Sequence, residues 1–274
     1  MTLQDTAPDY NLAELMCIAA ARELRDGEKI FLGLGLPCLV GTAAKMLYLP
    51  EAQLFTEVGV FDWIPRDPAV MGRAPLHIAD MPLYAGSAML GDMLDQLGCM
   101  LMGGHVDTAF LGGAQIDKFG NINTICLGDY HRPSRRLGGV GGNTEAACLA
   151  GKVIAILPHE TRRFVERVDF LTSPGYIDGP GGRRREGLGP QGPNVVISTL
   201  GVLRFDTPDG VDGTCEMYLD ATFPNVTVDT VKEMTGWDLK VSPQVKEVAP
   251  PTLEEVILLR SLDPLKFHLA EGRY

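Results

Sequence analysis

The chain has 274 residues, 45% hydrophobic and 22% charged, which is enough for a sizeable core and excludes a disordered or fibrous protein. A net charge of −11 argues against nucleic-acid or anionic-membrane binding, since either partner demands a positive surface field. No stretch approaches the ~18 uninterrupted apolar residues of a membrane span and the first ten residues are acidic and polar; the chain reads as cytoplasmic, with 1–10 a tail on a single domain of 1–274.

Residues 11–26 carry apolar side chains at Leu12, Leu15, Met16, Ala19, Ala20 and Leu24, a helical period, with Asn11 and Glu14 spaced as a capping box and Gly27 as the stop. Residues 29–34 read as a buried strand that runs into Gly33-Leu34-Gly35-Leu36-Pro37. A helix over 40–49 and a short strand over 53–56 complete a β-α-β unit. Such a unit implies a parallel pair, and ligands of parallel sheets sit at the carboxyl ends of the strands. Further strands are expected at 106–111 and 152–157, a tight hairpin over 112–123, and a helix able to start at Thr144. Beyond Arg162 and Arg163, a Gly/Pro-rich stretch covers 173–193, followed by a strand pair at 194–198 and 202–205. Helices at 228–234 and 253–262 close the chain, the last opened by Thr252 and Glu255 as a capping box. Strands alternating with helices make the fold α/β, an open, mostly parallel sheet flanked by helices, with no linker marking an internal boundary.

Six cysteines are scattered without a C-x-x-C pair, so buried reduced thiols are expected, and the five histidines show no ligand spacing, so no metal is expected. Gly33 and Gly35 follow a strand, but Cys38 stands where a dinucleotide fingerprint requires its third glycine. No phosphate-binding lysine loop, zinc-protease helix or serine-nucleophile elbow is present.

Three segments carry chemistry. In Thr56-Glu57-Val58-Gly59 a carboxylate stands at a strand end: either a solvated or Arg-paired loop residue, or a nucleophile or general base served by backbone N–H groups. Residues 136–143 contain four glycines in five positions, Gly138, Gly139, Gly141 and Gly142, either a structural turn or a cradle of amides for an oxyanion or phosphate. The third, 173–185, ends in Arg183, Arg184 and Arg185. These are either a surface or subunit-contact arginine face or an anion site.

In order, Gly33 to Pro37, Glu57-x-Gly59, Gly112 to Asn123, Gly128 to His131, Gly139 to Gly142, Arg162 to Phe164 and Thr172 to Arg183 form a specific set. From about Asn11 to the final helix the chain resembles β subunits of the class I (family I) CoA-transferases, closest to those of the glutaconate CoA-transferase group. The resemblance implies the CoA-transferase-like α/β fold and a ping-pong exchange of CoA between an acyl-CoA and a carboxylic acid. Glu57 matches the nucleophilic glutamate. Gly139, Val140, Gly141 and Gly142, with Gln115, would serve the oxyanion and CoA, and Val58 and Gly59 the substrate. Relatives place a polar residue after the glutamate, where Val58 stands here. Ring-cleaving hydrolases and a decarboxylase share this fold but lack a glutamate at this position. The resemblance further implies an α-subunit partner, coenzyme A as substrate and no resident cofactor.

Overall fold

The structure, a computed structural model, describes residues 2–33, 35–64, 80–206 and 213–269. Leu34, the expected end of the first strand, and the extreme termini of the expected domain lie outside the described residues, as does His77. The chain divides into two compact units, 1–112 with 249–274, and 113–248.

In the first unit, α1 (Leu12–Ala21) starts at Asn11, whose side chain accepts from the Glu14 amide while the Glu14 carboxylate accepts from the Asn11 amide. It stops short of the expected residue 26, because the Glu23 and Leu24 amides turn back to Ala20 and Ala21 and release the chain toward the sheet. Next come β1 (Lys29–Leu32), α2 (Leu36–Leu47) and β2 (Gln53–Phe55). Helix α2 begins four residues ahead of expectation, since Pro37 lies in its first turn, where a missing N–H costs nothing. Gly41 lets α2 lie close on β1: a Cβ there would come within 2.5 Å of the Leu32 side chain.

The edge elements β3 (Val60–Phe61), α3 (Met81–Tyr84), β4 (Met89–Leu90) and a π-helix over Leu94–Leu101 were not apparent from periodicity, being too short or irregular to carry one. Strand β5 (Thr108–Leu111) returns to the centre. The strand order is β5-β1-β2-β3-β4, with β5, β1 and β2 mutually parallel and the two-residue edge strands antiparallel. Phe31, Phe55 and Phe110 are buried in this sheet, and Phe31 and Phe55 meet edge to face at 5.5 Å. The closing helix, Leu253–Leu262, carries the expected capping box and packs with α1 and α2. Two ion pairs fasten it there: Arg260 to the buried Glu14, and Arg22 to the buried Glu255.

In the second unit, hairpin β6 (Gln115–Ile116) and β7 (Ile122–Asn123) forms as expected, and β8 (Cys126–Leu127) pairs with β9 (Arg135–Arg136). Helix α4 (Asn143–Leu149) and β10 (Lys152–Leu157) follow, then α5 (Gly182–Arg185), β11 (Val195–Ser198) and β12 (Gly201–Phe205). Strand β13 (Met217–Thr222), α6 (Val228–Glu233) and β14 (Lys240–Glu247) complete the unit, and the order is β14-β13-β12-β11-β10. Pairs β10–β11 and β13–β14 are parallel, and β11–β12 and β12–β13 are antiparallel hairpins. Strands β13 and β14 escaped the sequence reading: β13 alternates only over Met217–Asp220 before its register against β14 shifts, while β14 is polar and exposed. The α/β class and the open, helix-flanked sheet with parallel strands at its heart are as expected. All six cysteines are free, Cys99 exposed, Cys148 half-buried and the others buried. No helix among the described residues is long and apolar enough to cross a membrane.

Candidate active site

Because β1, β2 and β5 run parallel in register, their carboxyl ends open on one side of the first unit. At the end of β1, the Gly33 amide donates to the Phe110 carbonyl at 3.1 Å, and a Cβ on Gly33 would stand 2.9 Å from that oxygen. Gly35, at φ +85°, then turns the chain into α2, which explains a glycine pair that does not form a nucleotide fingerprint.

At the end of β2 the chain makes a four-residue turn, Thr56 to Gly59, closed by the Gly59 amide on the Thr56 carbonyl at 3.2 Å. The Thr56 amide bonds the Val60 carbonyl at 3.1 Å and seats the turn as a hairpin between β2 and β3. Glu57 and Val58 occupy its two central positions, and both are half-buried. Gly59 is dictated twice over. Its φ is +102°, and an added Cβ would lie 2.1 Å from the Gly91 carbonyl oxygen, a backbone atom with no rotamer to yield. The Gly91 amide in turn donates to the Gly59 carbonyl at 2.8 Å, so the turn that presents Glu57 is clamped from β4.

In the second unit, Gln115 is buried and faces inward rather than toward solvent. Its Oε1 accepts from Asn123 Nδ2 at 2.7 Å and from the Asp169 amide at 3.1 Å, and its Nε2 donates to Asp169 Oδ2 at 3.0 Å. Asp169 also receives the Gly128 amide at 2.8 Å. The Gln115 side chain thus holds the Asp169 loop against the β6–β7 hairpin. Asp117 accepts the Phe119 and Asn121 amides, and burial raises its carboxyl to about 6. Asn121 reaches across to the 175–177 segment, accepting the Gly175 and Ile177 amides and donating to the Ile177 carbonyl at 2.7 Å. This clamp holds Ile177 at φ +62°, a conformation a β-branched residue adopts only under constraint. Asp117, Asn121, Asp169 and Ile177 line an open cleft of about 980 Å³.

The glycine loop leads into α4 in the same unit. Gly139 (φ +110°) and Gly141 (φ +51°) take left-handed conformations with the half-buried Val140 between them. The Gly139 amide is spent on the Thr124 carbonyl at 3.2 Å, while among the described residues the Val140 and Gly141 amides meet no acceptor. Alternating backbone handedness of this kind turns successive N–H groups toward one side, the arrangement that receives an anion.

Arg183 is not part of an exposed arginine face. It is 3% exposed, and burial draws its pKa below the ordinary guanidinium value, whereas Arg184 and Arg185 are exposed and Arg185 pairs with Asp178. His159 is likewise buried. It stacks on Phe164, its ring nitrogens lie 2.9 and 3.0 Å from Ser198 Oγ and Thr235 Oγ1, and burial lowers it to about 3, so it stays neutral near pH 7. The structure therefore places Glu57, Val58 and Gly59 together on one turn of the first unit, and Gln115 and the 139–142 loop in the second. Sequence reasoning missed the bracing roles of Asn121, Asp169 and Arg183. Arg183 had only a weak local signal, as the first of three consecutive arginines behind two glycines in a Gly/Pro-rich loop.

The sequence matches the family described as Coenzyme A transferase over residues 13–234. It is 34% identical over 261 residues to the β subunit of glutaconate CoA-transferase of Acidaminococcus fermentans, covering 93% of this chain and 94% of that one. It is 37% identical over 254 residues to the β subunit of 3-oxoadipate CoA-transferase of Pseudomonas knackmussii, with the same 93% and 94% coverage. The fold superposes on the crystal structure of the Acidaminococcus fermentans glutaconate coenzyme A-transferase with a TM-score of 0.86 at 33% identity, over 97% of this chain and 99% of the other. Matched along nearly its whole length in both sequence and fold, the chain belongs to the coenzyme A transferase family and is similar throughout to its β subunits.

Proposed function

We propose that this chain is the β subunit of a heteromeric enzyme that moves CoA between an acyl-CoA and a carboxylic acid by a ping-pong route through Glu57. The observation that carries this reading is the Glu57 turn: a half-buried carboxylate at the carboxyl end of a parallel strand, on a backbone that Gly59 and Gly91 allow only one path.

A Glu57 oxygen attacks the thioester carbonyl, the tetrahedral adduct expels CoA as thiolate, and an acyl-glutamyl anhydride remains. The thiolate then attacks the Glu57 carbonyl of that anhydride, releasing the first carboxylate and leaving a glutamyl-CoA thioester. The acceptor carboxylate attacks this thioester, and the thiolate it frees attacks the acceptor's carbonyl, so acceptor-CoA departs and the Glu57 carboxylate returns. A carboxylate suits these steps because it is ionised near neutral pH without a separate base and its anhydride reopens readily to a thiolate. Each addition develops an oxyanion, and the Val140 and Gly141 amides are the donors we assign to it, with Gly139 and Gly142 shaping the loop. One such donor is typically worth ~3 kcal/mol of barrier. Gln115 supports this arrangement by holding the Asp169 loop, and Val58 offers the substrate an apolar flank. The partner is an α subunit, in keeping with the β-subunit relatives, and coenzyme A is a substrate rather than a bound cofactor.

The test is mass spectrometry of the full chain, co-purified with its α partner and incubated with acyl-CoA, with and without borohydride. A CoA or acyl adduct on the peptide containing Glu57, and its loss in Glu57→Gln, are expected. Full activity in Glu57→Gln refutes the reading, and thiol release without an acceptor acid assigns hydrolysis instead.

A further inference from the structure

We propose that Arg183 is a positioning residue for the glycine loop 138–142, fixing that loop from the far end of α4. The proposal rests on the reading of this loop as the oxyanion donor.

The guanidinium is buried and, among the described residues, bonds only to backbone carbonyls. Nε donates to Gly189 at 2.7 Å, Nη1 to Pro174 and Gly175 at 3.0 Å each, and Nη2 to Ala147 at 3.4 Å. A buried cation without a carboxylate partner is costly, and an apolar side chain could fill the same space. What the fork supplies is geometry, since it joins three separate segments through rigid, divergent donors.

One of these acceptors matters for the loop. Ala147 lies in the last turn of α4, where carbonyls lack a partner within the helix and a cation complements the helix dipole. The helix is only two turns long, so fixing its end fixes its start at the glycine loop. Its first turn is tied to the same neighbouring segment, because Thr144 Oγ1 donates to the Thr172 carbonyl at 2.6 Å.

That segment is itself immobilised. Thr172 and Ser173 exchange backbone bonds with Ile122 of β7, and a Cβ on Gly175 would stand 2.2 Å from the Phe119 carbonyl oxygen. The near end of the glycine loop is tied to the continuation of β7, through the Gly139 amide on Thr124. The Thr124 amide in turn bonds Thr172 Oγ1 at 3.1 Å. Both ends of the loop are thus referred to one platform, 122–124 with 172–175, and Arg183 is the brace that closes the circuit on the helix side.

The experiment compares Arg183→Lys with the native chain, in complex with the α subunit for kinetics and as the isolated full chain for amide hydrogen exchange. Lysine keeps the charge but cannot span three segments. We expect kcat to fall about 10-fold or more, as sub-ångström to 1 Å misplacement of donors does, with KM for acyl-CoA within about 2-fold. Exchange at the hydrogen-bonded amides that bound the loop, Gly139 and Asn143, should accelerate while β10 and β11 stay protected. Arg184→Ala, exposed in the same basic run, should leave kcat and KM as in the native pair. Should Arg183→Lys fail to fold, Arg183→Gln gives the same readouts. A rise in KM with kcat retained would assign the arginines to an anionic part of the substrate and overturn the proposal. So would an unchanged loop exchange, or a loss of protection in β10 and β11 equal to that in the loop. Failure of the transferase reading registers separately, as absent CoA exchange in the native pair, because the exchange experiment reads the brace without any turnover.

Discussion

Gly59→Ala perturbs the proposed nucleophile without touching its chemistry. The added Cβ would lie 2.1 Å from the Gly91 carbonyl oxygen, against the 3.0 Å below which real Cβ contacts essentially do not occur. Backbone must therefore move by about 1 Å, and a shift of that size in a catalytic group typically costs about 100-fold in rate. The conformation adds its own strain: φ +102° is open to glycine alone, at a cost of about 1–3 kcal/mol for any other residue. Gly27→Ala separates the two effects. Gly27 is also left-handed, at φ +78°, but a Cβ there meets nothing within 4 Å, so only about 1 kcal/mol of strain is expected. The assay is thermal unfolding of both variants with CoA-transfer kinetics of the co-purified pair. Gly59→Ala should lose both stability and about two orders of magnitude in kcat, and Gly27→Ala should lose stability alone. Equal kcat in the two variants would refute the claim that the clamp of β4 on this turn sets the Glu57 position.

Acid should destabilise the second unit through His159. Unfolded, the imidazole titrates near 6.5, and folded, burial lowers it to about 3. Between these values the unfolded chain binds more protons, so His159's contribution is whole above pH 6.5 and falls as pH drops toward 3, by about 5 kcal/mol at most. Asp117 runs the other way. Burial raises it from 3.8 to about 6, so its contribution is whole below 3.8 and is lost as pH rises through 6. Denaturant titrations at pH 7, 5.5 and 4 should show a shallower acid dependence in His159→Gln than in the native chain, and identical slopes would contradict this account. Asn121→Ala removes the clamp on Ile177 and leaves buried amides unsatisfied, so a loss of about 2–4 kcal/mol is expected. A melting temperature within a degree or so of the native value would show that Ile177 does not depend on this clamp.

Local physics made much of the scaffold legible in the sequence. Asn11 with Glu14 and Thr252 with Glu255 are capping boxes written within four residues, and both helices begin where those residues say. Strand β10 is a continuous apolar run between Lys152 and Pro158 and was placed to the residue. Glu57 could be located because a carboxylate, a strand end and a glycine fall within a few positions of one another, and the ordered motifs pointed to the family.

Tertiary structure decided the rest. Strand β14 is polar and exposed, so only pairing with β13 makes it a strand. The necessity of Gly59 comes from a carbonyl 32 residues downstream, at Gly91, a contact no local pattern encodes. Composition made Arg183 look like one of three surface arginines, and the fold buried it alone, because only there do four carbonyls from three segments converge on a guanidinium. Of the 32 glycines, 18 lie between Gly103 and Gly192. Gly175 and Gly182 are fixed there by close backbone approach, and Gly139 and Gly141 by handedness with open space around Gly139. Sequence determined which segments can turn and which carboxylate can react. Long-range packing determined which of those turns are rigid, since a side chain's partners across the fold are set by the path of the whole chain.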